Sequence, residues 1–187
     1  DYRDPYIKKN IEDNGWMIFP LLPYSFNTVD YDLDTPTPSA PSKEHWLGTD
    51  DEGRDILVRI IYGLRLSIIF AFLLTAISSI LGIASGAVQG YFGGKVDIIF
   101  QRLLEILESL PQLFVLIIIA SIFAPTFWSL LLIMLAFTWM SLTGVVRAEF
   151  LRTRNFEFVK AAQGLGISNF RIIFRHILPN ALVASIT

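Results

Sequence analysis

Glu105 and Glu108 are the residues whose type and spacing most readily suggest chemistry. Three positions apart on a helix, their carboxyl groups face nearly the same way, and paired carboxylates inside a membrane can relay protons. Lys95 and Arg102 lie close by on the same segment, so solvated charges at a helix end are the competing reading. Other candidates fail on pattern. Gly93, Gly94 and Lys95 contain the Gly-Lys of a phosphate-binding loop, which also needs Gly at 89 and Ser or Thr at 96, where the chain has Gln89 and Val96. Asp50, Asp51, Glu52 and Asp55 lack the ligand alternation of a calcium loop and suit turns and helix caps instead. His45 and His176 are far apart in sequence and fall on opposite sides of the expected membrane, so they make no pair. Without cysteine, disulfides, zinc–thiolate sites and thiol catalysis are excluded. No catalytic, cofactor, nucleotide or metal site is expected from these patterns.

The elements that would position such groups belong in a bilayer. At 53% hydrophobic and 17% charged, with mean hydropathy +0.53, the chain is too apolar for an ordinary soluble domain. Residues 1–53 are polar and proline-rich, which predicts a mostly irregular outer loop region. Over 54–65, Ile56, Leu57, Ile60, Ile61 and Leu64 recur at helical spacing opposite Arg54, Asp55, Val58, Arg59 and Tyr62. That predicts a short amphipathic helix, either interfacial or half-buried in an outer domain. No charge occurs from 66 to 94, and residues 66–89 as a helix would extend roughly 36 Å, enough to cross a core of about 30 Å. A second uncharged run, 109–146, is too long for one crossing and is divided at Ala124, Pro125 and Thr126. Spans are thus expected at about 66–89, 97–123 and 127–148, with Pro111 able to kink the second. The fold class is all-α: a polytopic helical membrane protein with three complete transmembrane helices and the start of a fourth. The chain opens on Asp1 and stops at Thr187 within an apolar run, which reads as a piece of a longer protein.

Charge sets the expected orientation. Residues 1–65 carry 12 acidic against 7 basic side chains, whereas 147–175 carry 6 basic against 2 acidic. Cytoplasmic connections are enriched in Lys and Arg, so 90–96 and 149–176 are placed inside and 1–53 outside. Ser78, Gly82, Gly86 and Gly90, four apart, make a small-residue stripe on the first span. Such stripes let helix backbones approach closely, although a passage lined by the stripe is the other reading. In the 149–176 connection, Asn155 is a candidate helix cap, Gly164, Leu165 and Gly166 permit a sharp turn, and Ser168 or Asn169 can cap a second helix. A compact basic knob results. It suits docking into a groove on a soluble partner, or lying on anionic headgroups.

Two stretches carry a resemblance. Ala161, Ala162, Gly166, Leu178 and Pro179 fit the E-A-A-x3-G-x9-I-x-L-P loop of ATP-binding-cassette (ABC) importer permeases, with Lys160 in place of the glutamate and His176 in place of the isoleucine. Residues 45–55 are similar to the H-x-L-G-T-D-x-x-G-R-D signature of the dipeptide/oligopeptide branch of that family. Residues 13–16, 87–97 and 144–156 resemble permeases for oligopeptides and microcin C within that branch. The resemblance implies six spans per permease, of which this chain would carry the second to fourth, in a bacterial inner membrane. It implies a separate ABC ATPase subunit, a second permease subunit and an extracytoplasmic peptide-binding protein as partners, the last docking near residues 1–62, with no nucleic acid. It also implies that the loop carrying Asn155, Phe158, Lys160, Ala161, Ala162, Gly164, Gly166, Phe170, Leu178 and Pro179 couples the ATPase to the spans. With Lys160 where an acid is usual, shape and apolar contacts are expected to carry that coupling. An ion-driven transporter using Glu105 or Glu108, and a membrane-anchored binding or scaffold protein, are the alternatives from other classes.

Overall fold

The computed structural model describes residues 5–181 apart from 19, 32, 34 and 125. Those residues divide into two compact units, Asp1–Ile69 and Phe70–Thr187.

Within the first unit, α1 (Pro5–Asn14) is followed by irregular chain. Two isolated antiparallel bridges, Val29 with Arg54 and Thr49 with Asp55, bring the 45–55 stretch back onto 28–30. The interior is polar rather than oily. His45, 2% exposed, places Nδ1 2.8 Å from Asp55 Oδ2 and Nε2 3.2 Å from Asp30 Oδ2. Tyr24 lies against its ring, with centroids 4.8 Å apart. Asp55 has a second role, because it precedes the next helix and its Oδ1 accepts from the Val58 N–H at 2.8 Å. Asp30, His45 and Asp55 are thus tied together within otherwise irregular chain, by side chains 10 and 15 residues from His45.

Asp50 organises the neighbouring turn. Burial alone would push its carboxyl up, but the backbone N–H of Arg54, the Arg54 guanidinium and the backbone N–H of Glu52 outweigh it and hold the carboxyl at about 2, below the ordinary 3.8. Arg59 also reaches the same carboxylate. Because the folded value lies below the unfolded one, this stabilisation is whole above pH about 4 and is lost as pH falls through about 2. Denaturation midpoints read by tryptophan fluorescence should therefore separate wild type from Asp50→Asn at pH 6. The gap should close as pH falls from about 4 to about 2.

The expected 54–65 helix and 66–89 span are one element, α2 (Ile56–Phe92), a correction to the bounds read from sequence. Between them lie a single glycine, Gly63, and no proline, which is not enough to stop the helix. Its first turns present the two faces differently. Val58 and the Asp55 cap are buried, while Ile60, Ile61 and Leu64 are exposed. The polar hub around His45 claims the face that carries Asp55.

In the second unit, α3 (Gly94–Glu108) and α4 (Gln112–Ile122) meet at a 64° bend. The expected 97–123 helix is therefore broken, since Pro111 lacks an N–H and pushes Leu110 out of helical geometry. The next helix, α5 (Phe127–Thr153), starts with a capping box in which Thr126 Oγ1 accepts from Ser129 N–H at 3.2 Å. It runs past residue 148 to Thr153. Helices α2 and α5 are long and apolar enough to cross a membrane, and α3 with α4 make a third crossing if taken together. Phe72, Ile80 and Leu132 point outward, which suits hydrocarbon and not water. The expected start of a further span lies partly outside the described residues.

Gly82, Gly86 and Gly90 lie against α5. A Cβ on each would stand 2.8, 2.7 and 2.6 Å from the carbonyl oxygens of Trp139, Thr143 and Arg147, respectively. Both sets rise in steps of four, so the two helices run parallel at close backbone contact. Parallel neighbours require the chain between them to return, which is the path of α3 and α4. Ser78, one turn before Gly82 on α2, is buried, its hydroxyl donating to the Thr75 carbonyl at 3.2 Å.

Candidate functional site

After α5 the chain forms a compact helical insert. Helix α6 (Glu157–Gly164) and α7 (Asn169–Arg171) flank a tight turn, and α7 passes into a wider π turn at Ile172–Ile177. The turn is closed by backbone bonds of a Schellman motif. Ile167 N–H donates to Ala162 O at 3.1 Å and Gly166 N–H to Gln163 O at 3.0 Å. Gly166 sits at φ +73°, a conformation that costs a side-chain-bearing residue energy. Gly164 is simply the last residue of α6 and needs no such freedom.

One face of the insert is seated. Val159, Ala162, Ile172, Ile173 and Ile177 are buried against Ala87 and Tyr91 of α2 and Val146 and Phe150 of α5. Leu178 packs at the edge of that cluster. The opposite face is open, with Leu165 80% and Phe170 72% exposed. Phe158 and Phe174 are also exposed, and the Phe170 and Phe174 rings lie 4.4 Å apart. Lys160, Ala161, Gly164, Gly166 and Pro179 are exposed as well. The two alanines of the motif thus part company, Ala161 facing out and Ala162 facing the core. Asn155 does not start α6, whose N-cap is Phe156. Its Nδ2 instead donates to the Leu151 carbonyl at 3.0 Å and closes the end of α5, where carbonyls lack partners.

Polar groups fasten the same end of the bundle. Arg147 on α5 holds Asp97 on α3 in a two-pronged ion pair at 2.5 and 2.7 Å. That carboxylate lies in the first turn of α3, where the helix dipole favours negative charge. Arg154 donates to the Gly90 and Tyr91 carbonyls, both at 3.3 Å, capping α2 with positive charge. Gln89, fully buried, accepts from Gln101 at 3.2 Å and donates to Ser85 at 2.9 Å. Tyr91 donates to Asn169 at 2.8 Å. Sequence reasoning singled out none of these pairs, whose members lie up to 78 positions apart. Glu105, by contrast, pairs with Arg102 at 2.6 Å on an exposed surface, and Glu108 is exposed at the end of α3.

Buried apolar seating on one side and exposed aromatics on the other describe a part that is fixed to the helices and offered to something else. The stretch that carries it matches a known family. Residues 78–187 match the family described as "Binding-protein-dependent transport system inner membrane component". The whole chain is 50% identical to the "Inner membrane ABC transporter permease protein YejE" of Escherichia coli (strain K12), covering 55% of it. It is 46% identical, again over its whole length and 55% of the relative, to the "Peptidoglycan transport system permease protein YejE" of Agrobacterium fabrum. Over 78% of the chain and 46% of the relative it is 36% identical to the "Dipeptide transport system permease protein DppC" of Bacillus subtilis (strain 168). The chain spans about half the length of these curated relatives. With two helices fit to cross a membrane and a match covering both the seam and the insert, the chain belongs to the family of binding-protein-dependent transport system inner membrane components.

Proposed function

We propose that the chain is part of the transmembrane permease subunit of an ATP-driven importer for peptides or peptide-like compounds, microcin C among the candidates. The exposed crown formed by Phe158, Leu165, Phe170 and Phe174 docks into a groove on a separate ATPase subunit, with Lys160 and Ala161 at its flank. The observation that carries this reading is the division of the insert into an apolar seat and an apolar crown. Exposed aromatic groups of that size are characteristic of partner surfaces. Residues 1–53 face outward, where a binding protein delivers substrate, and a second permease completes the pathway. No nucleotide is bound by this subunit itself. ATP binding closes the ATPase, the insert moves with it, and the spans alternate between two states that differ in affinity for substrate.

Leu165→Asp places a charge on the most exposed part of the crown and leaves the buried seat alone. It is expected to weaken ATPase co-purification by roughly thirtyfold or more, the effect of losing an interface anchor, and to stop peptide uptake. Yield in the membrane should not change. Retention of the ATPase together with uptake would rule out the docking surface. If Glu105→Gln/Glu108→Gln stopped uptake while ATP hydrolysis proved irrelevant to transport, an ion-driven mechanism would replace this reading.

A further inference from the structure

Tyr91 stands where α2 meets both limbs of the insert. Its ring is buried in the apolar cluster, and its hydroxyl leaves that cluster to donate to Asn169 Oδ1 at 2.8 Å. The Tyr91 hydroxyl oxygen in turn accepts from Gln163 Nε2 at 3.5 Å, a longer and weaker contact. Gln163 lies on α6, before the Gly166 turn, and Asn169 on α7, after it. The hydroxyl therefore ties the two limbs to each other and to α2. Its backbone is held from the other direction, by Arg154 on the Gly90 and Tyr91 carbonyls.

Apolar packing and this bond do different work. The contacts of Ile172, Ile173 and Ile177 are non-directional and leave the insert able to roll on the helix ends. A hydroxyl held by side-chain amides on two limbs is directional and fixes that rotation. We infer that Tyr91 is a positioning residue: its hydroxyl, bridging Asn169 and Gln163, turns displacement of the insert into displacement of α2. The inference rests on the insert being the ATPase seat.

The test uses the complete importer, with both permeases, ATPase and binding protein, in proteoliposomes supplied with an isotope-labelled tryptic peptide mixture. Tyr91→Phe removes the hydroxyl and keeps the ring. ATPase co-purification and ATP hydrolysis are expected to persist, while peptide imported per ATP hydrolysed falls roughly two- to tenfold, the range one hydrogen bond commands. Asn169→Asp keeps an acceptor and should couple nearly as wild type. Asn169→Leu should repeat the Tyr91→Phe loss, and the double variant should be no worse than either. An unchanged ratio in Tyr91→Phe, additive losses, or loss of the ATPase from Tyr91→Phe would each overturn the inference. ATPase retained by Leu165→Asp would overturn the docking reading and this one with it. ATPase released by Leu165→Asp, with coupling intact in Tyr91→Phe, would overturn this one alone.

Discussion

Replacing Gly86 with leucine is expected to part α2 from α5 and cost about 3 kcal/mol or more. A Cβ at that position would stand 2.7 Å from the Thr143 carbonyl oxygen, 2.8 Å from Val146 Cβ and 3.0 Å from the Arg147 nitrogen. Two of those atoms are main chain, so no rotamer change relieves the contact and one helix must shift as a body. Thr143 and Val146 are themselves fully buried, which leaves no slack around the site. The matching control lies on α5, where Gly144 has nothing within 4 Å of a built Cβ. Gly144→Ala should be neutral, or stabilising by up to about 1 kcal/mol through helix propensity. Heat-unfolding midpoints in detergent would show the contrast. Equal midpoints for Gly86→Leu and wild type would mean that the glycines do not set the helix spacing.

His45→Leu is expected to unfold the first unit locally, at a cost of about 3–5 kcal/mol. The imidazole is the group between the Asp30 and Asp55 carboxylates, and both partners are buried. Leucine fills much of the space but removes the polar group from between two buried carboxylates that repel each other and can reach little water. Asp55 also caps α2 through Val58, so the disturbance reaches the first turn of that helix. Removing the whole cluster, with Asp30→Asn, His45→Gln and Asp55→Asn together, should cost less than His45→Leu alone. An uncharged set removes the repulsion between the carboxylates, and Asn still serves as a cap. Limited trypsin digestion of the intact protein in membranes, followed at Lys43 and Arg54, reports the opening of this unit. Digestion of His45→Leu at the wild-type rate would show that the cluster is not what holds it closed.

What could be read from sequence follows what each feature depends on. The apolar runs were legible because solvent alone dictates them, and α2, α4 and α5 lie on them, although α2 starts about ten residues before its run. Pro111 and Gly166 were legible because each constrains its own backbone wherever it occurs. Tertiary pairing was not. Asp55, read as turn chemistry and helix capping, also pairs with His45, and His45 with Asp30, which comes from elsewhere in the chain. Asn155 failed as a cap for a similar reason, since α5 continues five residues farther than composition suggested and its end captures the side chain. Pairs such as Arg147 with Asp97 and Tyr91 with Asn169 depend on the third dimension entirely. Neither partner looks unusual in its own neighbourhood.

The parallel course of α2 and α5 imposes a parity on the chain. A single intervening pass makes two helices parallel, and none or two would make them antiparallel. A version of this protein that lost α3 and α4 could still lay α5 beside α2. It would then meet the glycines upside down, with Trp139, Thr143 and Arg147 descending where Gly82, Gly86 and Gly90 ascend. The bent pair, broken at Pro111, can therefore vary in shape far more freely than in number of passes.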